Sequence, residues 1–274
     1  MPQPHLITLL TDFGLSDVYV GVMKGAIAQV NPEVRVIDLT HQVPPQDVVA
    51  ARFCLMNAYP YFPPGTVHVA VVDPGVGSTR RAIAIELEDG FLVGPDNGLF
   101  SGVLSQQRAI AAVELTNARF WRSGQLSATF HGRDIFAPVG AHLASGVALR
   151  ELGPVVDLQS LVQLPILSYQ SEGDRIGGSV QYCDRFGNLI TNIPESAVVE
   201  QVWTVVIGET EIMGVSSYSD RPAGTLLALV GSHGWVEVAV NGGSAEASLK
   251  LHVGDAVEVL LKPNAWGRLP PNPR

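Results

Sequence analysis

The residues best suited to chemistry lie in two glycine-containing segments, 73–81 (DPGVGSTRR) and 129–138 (TFHGRDIFAP). The first joins Asp73 and Arg80 across a turn whose glycines allow the backbone to approach a ligand closely. It is not a phosphate loop, because no G-K-[ST] follows and Arg80 replaces the third glycine of G-x-G-x-x-G. Its arginines can orient a carboxylate or polarise a bound water. In the structural alternative, an Arg–Asp pair only holds the loop together.

The second segment places His131 in a turn before a helix that is predicted to start near Asp134. A histidine beside glycine at such a junction favours a position in a cleft, where an imidazole can serve proton chemistry near neutral pH. A structural hydrogen bond is the alternative role for His131.

Four carboxylates lie at or just past the carboxyl ends of predicted strands, namely Asp12, Asp38, Asp73 and Asp96. In open α/β sheets, ligands bind beyond the carboxyl ends of the strands. One such Asp is often a cap or turn residue, but four together predict a polar crevice at this edge of the sheet.

A third segment, 183–194 (CDRFGNLITNIP), combines Asp184, Phe186 and Asn188 around one glycine. Its functional interpretation is a binding platform, in which the ring stacks on a ligand while the carboxylate and the amide face its polar groups. Its structural interpretation is a β-turn in which the carboxylate is satisfied within the chain.

Composition narrows the classes of partner. The 274 residues include 17 Lys+Arg and 26 Asp+Glu, for a net charge of -9, and no basic run, which argues against nucleic acid. The seven histidines show no metal-binding spacing and the two cysteines form no C-x-x-C pattern, so we predict no metal site and no disulfide. No apolar run reaches the length of a membrane span and no signal peptide is apparent, which predicts a cytoplasmic protein without a membrane partner.

The elements that position these residues follow from the hydrophobic pattern. Before about residue 153, short apolar runs alternate with longer amphipathic ones, which is typical of an α/β layer with a largely parallel sheet. Predicted strands cover 6–10, 34–39, 66–73, 82–87 and 91–95. Predicted helices begin at Ser16, whose hydroxyl is the expected N-cap, and at Asp47.

Beyond that point, closely spaced β-rich runs separated by Gly, Asn and Ser predict a smaller all-β barrel. We predict an N-terminal α/β domain over 1–157 with helices flanking its sheet, a connector over 158–173 and a C-terminal β-barrel domain over 174–274. The proline-rich tail, 266–274, is predicted to be frayed.

The chain resembles the S-adenosyl-L-methionine (SAM) hydroxide adenosyltransferase family, the SAM hydrolases, and the related fluorinases and chlorinases. The resemblance is carried by six segments in the same order: LLTDFGLSDVYVGVMKG, DLTHQVPPQDV, VVDPGVGSTRR, FLVGPDNGLF, TFHGRDIFAP and DRFGNLITNIP. It implies hydrolysis of SAM to adenosine and L-methionine without a cofactor. It also implies a homotrimer that holds the substrate between the N-terminal domain of one subunit and the C-terminal domain of its neighbour.

Residue roles follow from the same resemblance. It carries the water-binding set of the hydrolases onto Asp73, Arg80 and His131, and it places Asp12 at the ribose hydroxyls and Asp184 at the methionine amino group. The other positions that it assigns to the bound substrate are Phe186, Asn188, Ser232 and Gly242. Glu237 lies in the same segment as Ser232 and Gly242, and we predict that it also binds the substrate.

The resemblance also indicates which nucleophile, water or a halide ion, attacks the substrate. Halogenases carry Tyr where Asp73 stands, another residue in place of His131 and an extra loop that this chain lacks, so the likeness points to water. This chain departs from the halogenases at two positions: it has His233 where they carry Arg, and Gln46 where they carry Trp. The alternatives that stay open are a SAM-dependent halogenase and a protein that senses adenosine or SAM without turnover.

Overall fold

The structure is a computed structural model that describes residues 5–262. The described residues fall into two compact units, the first ending at Ile166 and the second beginning at Leu167. The predicted connector spans this boundary, and the predicted tail at 266–274 lies outside the described residues. Within 5–262, no helix is long and apolar enough to cross a membrane.

The N-terminal unit is built on a six-stranded sheet in the order β2-β1-β3-β5-β4-β6. Its strands are β1 (Leu6–Thr11), β2 (Arg35–Thr40), β3 (Thr66–Val71), β4 (Ala82–Leu87), β5 (Gly90–Pro95) and β6 (Ala109–Glu114). β1 pairs in parallel with β2 and β3, and β3 with β5, whereas β4 is antiparallel to both of its neighbours. The predicted α/β class is confirmed, and the sheet is parallel where β1 and β3 end.

Four helices accompany this sheet: α1 (Tyr19–Val30), α2 (Val48–Ala58), α3 (Ser101–Gln106) and α4 (Ala137–Ala144). The prediction for α2 is confirmed, since the Asp47 carboxylate caps it by accepting the Ala50 N–H at 2.8 Å. The prediction that α1 begins at Ser16 is wrong. Gly14 has a φ of 67° and donates its N–H to the carbonyl of His41, so the chain stays in a loop until the helix begins at Tyr19.

The central strands β1 and β3 are buried along their whole length, as continuous apolar runs in a parallel sheet should be. Side chains of one face, among them Ile7, Leu9, Val67 and Val69, belong to the main core together with those of α1 and α4. The opposite face carries a buried polar pair, in which Thr8 Oγ1 lies 2.8 Å from His68 Nδ1.

Acid is expected to destabilise the N-terminal unit through His68. This imidazole is 2% exposed, and burial lowers its pKa from 6.5 to about 4. The unfolded chain therefore takes up a proton near pH 6.5 while the folded chain resists until about pH 4. Stability is full above pH 6.5 and falls by about 3 kcal/mol as the pH drops through this window.

The measurement is the free energy of unfolding, from urea titrations at several pH values between about 7 and 4, for the wild type and His68→Gln. The variant should lose most of the pH dependence in this window. An unchanged pH dependence in His68→Gln would assign the acid sensitivity to other groups.

The C-terminal unit is an antiparallel barrel-like sheet, which confirms the predicted all-β class. Its main path runs β11-β10-β14-β8-β9-β13-β12, and β7 pairs with β8. The strands are β7 (Gln170–Glu172), β8 (Arg175–Cys183), β9 (Leu189–Pro194), β10 (Val202–Ile207), β11 (Thr210–Met213), β12 (Leu226–Val230), β13 (Trp235–Val240) and β14 (Ala256–Lys262). A bridge between Gly214 and Ala228 brings the two ends of the path together, and a short helix, α5 (Ala245–Leu249), follows β13.

Candidate functional site

A pocket of about 260 Å³ with polar and apolar walls lies where β1 and β3 end in the N-terminal unit. It is lined by Asp12, Phe13, Gln46, Val71, Asp73, Pro74, Val76, Thr129, Phe130, His131 and Gly132. Three of the predicted site residues, Asp12, Asp73 and His131, therefore line one cavity. The position agrees with the rule that ligands bind beyond the carboxyl ends of parallel strands.

Arg80 links two of these side chains. Its Nε lies 3.0 Å from both carboxylate oxygens of Asp73, its Nη2 also donates to Asp73 Oδ2, and the same Nη2 lies 2.8 Å from His131 Nδ1. The Arg80 and Asp73 side chains are only 11% and 5% exposed. The predicted pairing of Arg with Asp is thus present, and it extends to the histidine.

The contact with Arg80 fixes the protonation of His131. A guanidinium has donors only, so Nδ1 of the imidazole must accept, and the proton of the neutral ring lies on Nε2. Burial, and then the positive charge of Arg80, lower the pKa of His131. The imidazole is therefore neutral at pH 7 and presents an N–H donor.

Two loops meet to form this arrangement. Gly77 has a φ of 78°, and a Cβ at this position would lie 2.4 Å from the carbonyl oxygen of Ala128. Only glycine therefore lets the 73–80 loop approach the segment that leads to His131. The guanidinium of Arg80 also lies 5.3 Å from the centre of the Phe136 ring, in the π-helical turn Gly132–Phe136.

Asp12 lines the same pocket. Its Oδ2 accepts the backbone N–H of Gln46 at 2.8 Å. Gln46 adopts a φ of 67°, which is uncommon for a residue other than glycine and costs about 1–3 kcal/mol. This conformation brings the Gln46 N–H to Asp12, and it places Gln46 in the pocket wall where the halogenases are expected to have Trp.

An aromatic cluster adjoins the same pocket. The ring of Phe130 makes edge-to-face contacts with Phe13 at 5.7 Å and with Tyr19 at 5.4 Å between ring centres. The guanidinium of Arg133 lies 5.1 Å from the centre of the Phe130 ring. This apolar wall can exclude water from one side of the pocket, and no motif in the sequence points to it.

The other two strand-end carboxylates do not line the pocket, so the predicted crevice of four contains only two of them. Asp96 accepts Arg81 Nε at 2.8 Å and the N–H of Val162 at 2.9 Å, which ties the chain after β5 to the predicted connector. Asp38 instead pairs with Lys24 Nζ at 2.7 Å. Each of these carboxylates therefore pairs with a cationic side chain outside the pocket.

In the C-terminal unit, hydrogen bonds within the 183–194 segment converge on the carboxylate of Asp184. Its Oδ1 accepts the N–H groups of Phe186 at 2.8 Å and Asn188 at 2.9 Å, and its Oδ2 accepts Asn188 Nδ2 at 3.0 Å. Asn188 is buried, whereas the Phe186 ring is 76% exposed. The structural interpretation, a β-turn in which the carboxylate is satisfied within the chain, therefore describes the geometry of this Asp, and the Phe186 ring stays exposed.

Glu237 is 3% exposed, and protein groups engage both of its oxygens. Tyr218 donates its hydroxyl to Oε1, and His233 Nε2 lies 3.0 Å from Oε2. The other nitrogen of His233 accepts the Trp235 N–H at 3.2 Å. The halogenases are expected to carry an Arg at this position. Because both imidazole nitrogens of His233 contact groups of this protein, His233 does not offer a ligand the cationic group that an Arg would offer. No motif or spacing in the sequence points to Tyr218.

The remaining predicted positions lie in turns of this unit. Ser232 is exposed in the turn after β12 and lines a cavity of about 450 Å³ together with Trp203 and Ser216. Gly242 is exposed after β13, with a φ of 73°. Among residues 5–262, no group of three or more His, Cys, Asp or Glu side chains is placed to hold a metal ion.

Comparison with protein families accounts for both units. The model of the SAM hydroxide adenosyltransferase N-terminal domain matches residues 7–153, and that of the C-terminal domain matches residues 178–258. The chain belongs to the SAM hydroxide adenosyltransferase family. The pocket, the Arg80 contacts and the barrel-like unit described above are thus features of a member of this family.

Similarity to individual proteins supports the same family assignment. A protein of Salinispora tropica named (R)-S-adenosyl-L-methionine hydrolase is 44% identical over 94% of this chain and 98% of its own length. A crystal structure of an uncharacterized conserved protein from Thermotoga maritima superposes with a TM-score of 0.87 at 37% identity, covering 93% of this chain and 99% of that one. A fluorinase of Actinoplanes is more distant, at 28% identity over 69% of this chain and 71% of its own.

Proposed function

We propose that this protein hydrolyses SAM to adenosine and L-methionine by attack of water on the 5′ carbon of the ribose. The observation that carries the proposal is the contact of Arg80 with both Asp73 and His131 beside the pocket. The names of the relatives support it, and the relative of Salinispora tropica points to the substrate with R configuration at sulfur. We propose that epimer as the substrate.

The substrate makes modest demands on the protein. The leaving group departs from a sulfonium as a neutral thioether, so it needs no general acid. Water is a poor nucleophile, and a positioned proton acceptor can contribute about 10²–10⁴-fold to the rate. The attacking oxygen must also lie in line with the C–S bond, about 3–3.5 Å from carbon, which requires a firm grip on the ribose.

The three polar side chains divide the work on the water. Asp73 retains lone pairs beyond those used by Arg80, so it can accept a hydrogen bond and then the proton from water. The N–H of His131 and the charge of Arg80 stabilise the hydroxide that develops. A halide has no proton to give to Asp73 and is repelled by its charge, which favours water over a halide.

The ribose and the methionine are assigned to different units. Asp12 has an oxygen that Gln46 does not engage, and one carboxylate can accept hydrogen bonds from both ribose hydroxyls. In the C-terminal unit, Asp184 has lone-pair capacity left for the amino group, Asn188 braces it, and Phe186 offers its exposed ring. Ser232 and Gly242 contribute exposed turns, while Glu237 holds Tyr218 and His233 in place.

The decisive experiment incubates the protein with separated R and S epimers of SAM in halide-free, metal-chelated ¹⁸O water. Mass spectrometry then analyses the products. Adenosine labelled at its 5′ oxygen, formed faster from the R epimer, is the expected result. Tight binding without adenosine over hours would instead support a sensor, and 5′-halogenated adenosine on addition of halide would support a halogenase.

We further propose a homotrimer whose sites combine the N-terminal unit of one subunit with the C-terminal unit of another. Supporting this, Leu15, Val18, Tyr19 and Val22 expose apolar side chains on the segment that follows Asp12. An exposed apolar patch beside a pocket is typical of an interface.

A mixing experiment tests this assembly. Asp73→Asn and Asp184→Ala subunits, each inactive alone, should regain about a quarter of the wild-type activity after subunit exchange, because some sites then combine two intact halves. A mixture that stays inactive after verified exchange would show that each site is built from one chain.

A further inference from the structure

A chain of polar contacts runs behind the loop that carries Asp12, outside the pocket itself. It consists of Thr11 at the end of β1, His41 directly after β2, Asp38 within β2 and Lys24 on α1. His41 is 3% exposed and does not line the pocket, so it cannot touch a ligand there. Nothing in the proposed chemistry uses these four residues.

The contacts hold the backbone on both sides of Asp12. Thr11 Oγ1 accepts the N–H of Phe13 at 3.2 Å and lies 2.9 Å from His41 Nδ1. The carbonyl of His41 accepts the N–H of Gly14 at 2.7 Å. One residue, through its side chain and its backbone, therefore contacts the residue before Asp12 and a residue two positions after it.

The contacts continue on the far side of His41. Thr11 Oγ1 accepts the Phe13 N–H and shares a second hydrogen bond with His41 Nδ1, which leaves Nε2 facing β2. His41 Nε2 lies 3.1 Å from Asp38 Oδ1, and Lys24 Nζ lies 2.7 Å from Asp38 Oδ2. The chain thus ends on a carboxylate with a cation of its own.

The sheet itself is shaped to bring His41 to this position. The parallel register of β1 and β2 pairs Leu9 with Asp38 but Leu10 with Thr40, so Leu39 is an extra residue in β2. Such irregularities re-aim the residues that follow them, and they are common beside active sites. Here the irregularity lies between Asp38 and His41.

We propose that His41 is a positioning residue for Asp12, acting through Thr11 to hold the carboxylate at the ribose hydroxyls. The inference rests on the proposed function, because the ribose role of Asp12 belongs to it. Gln46 fixes one oxygen of Asp12 from the pocket wall, and the Thr11–His41 pair fixes the backbone from behind. Loss of the pair should loosen the grip on the ribose while leaving the Asp73 set in place.

The sequence offers a matched control on the same strand. Thr8 and His68 form a second buried Thr–His pair, at 2.8 Å, and neither residue lines the pocket. Thr11→Val and Thr8→Val remove the same hydroxyl with nearly the same shape. Thr11→Ser keeps the hydroxyl and serves as the rescue variant.

Calorimetry measures the affinity of each variant for adenosine and for 2′,3′-dideoxyadenosine, which lacks the ribose hydroxyls, and kinetics with SAM give kcat and KM. We expect Thr11→Val to lose about tenfold in adenosine affinity, equivalent to about 1.4 kcal/mol. Its affinity for the dideoxy compound and its kcat should stay within about threefold of the wild type, as the modest net worth of one hydrogen bond allows. Thr11→Ser and Thr8→Val should bind adenosine as the wild type does.

His41→Leu should repeat the Thr11→Val pattern, and His41→Asn, whose amide can reach Thr11, should restore part of the affinity. Equal adenosine affinity in Thr11→Val and the wild type overturns the proposal, and so does an equal loss in Thr8→Val. A wild type that binds adenosine but releases none from SAM overturns the proposed function and leaves the calorimetric comparison valid. A wild type that releases adenosine from SAM but shows no preference for adenosine over the dideoxy compound overturns the positioning role and leaves the proposed function standing.

Discussion

Replacement of Asp73 by Asn is expected to lower kcat for SAM hydrolysis by about 10²–10⁴-fold, the range that a positioned proton acceptor contributes. An amide cannot accept the proton of water, and it removes the negative charge that faces Arg80 Nε at 3.0 Å. Arg80 would then be free to leave His131 Nδ1, which disorders the donor on the other side of the water. The affinity for adenosine should change little, since Asp12 is untouched.

The matched control is Asp96→Asn, because the next arginine along the chain, Arg81, pairs with the buried Asp96 carboxylate outside the pocket. That variant should lose stability, as broken buried ion pairs do, but keep kcat close to the wild type. Single-turnover measurements of adenosine formation give the rate of the chemical step. If the two variants lost kcat equally, the role of Asp73 would be structural.

Removal of the Asp12 carboxylate is expected to act on binding. Asp12→Ala should weaken adenosine affinity by about 10–100-fold, because hydrogen bonds to a charged group are worth about 1.5–3 kcal/mol. The variant should bind 2′,3′-dideoxyadenosine as the wild type does, so that most of the discrimination between the two nucleosides disappears. Calorimetry with both compounds checks this expectation.

Asp17→Ala is the control for the change in charge, because this exposed carboxylate lies on the same loop, outside the pocket. It should leave both affinities unchanged. Persistent preference for adenosine in Asp12→Ala would assign the ribose hydroxyls to another group of the protein.

Local pattern predicted most of the elements. The strands β1, β4 and β5 lie where apolar runs place them, and α2 begins at Asp47 as expected. The predicted start of α1 at Ser16 is wrong, because a hydrogen bond between Gly14 and the distant His41 holds this part of the chain in a loop. The mixed character of the sheet also depends on which strands become neighbours, and periodicity within one strand cannot report that.

The candidate site was predicted less evenly. The family resemblance indicated Asp73, Arg80 and His131, and the pocket and the Arg80 contacts bring them together. Nothing in the spacing distinguishes Asp12 and Asp73, which line the pocket, from Asp38 and Asp96, which do not. Each of the latter pairs with a cation, Lys24 or Arg81, that only the folded chain brings to it.

The sequence by itself determined the fold class, the two-part organisation and the chemical types available at the ends of the strands. Those properties depend on neighbours in the chain, where hydrophobic periodicity and turn residues act. The tertiary structure decided the tautomer of His131, because the guanidinium that fixes it is 51 residues away in sequence. It likewise decided the hydrogen-bond partners of Glu237 and the Thr11–His41 contact beside Asp12. Such partners come from separate loops and meet only when the core packs.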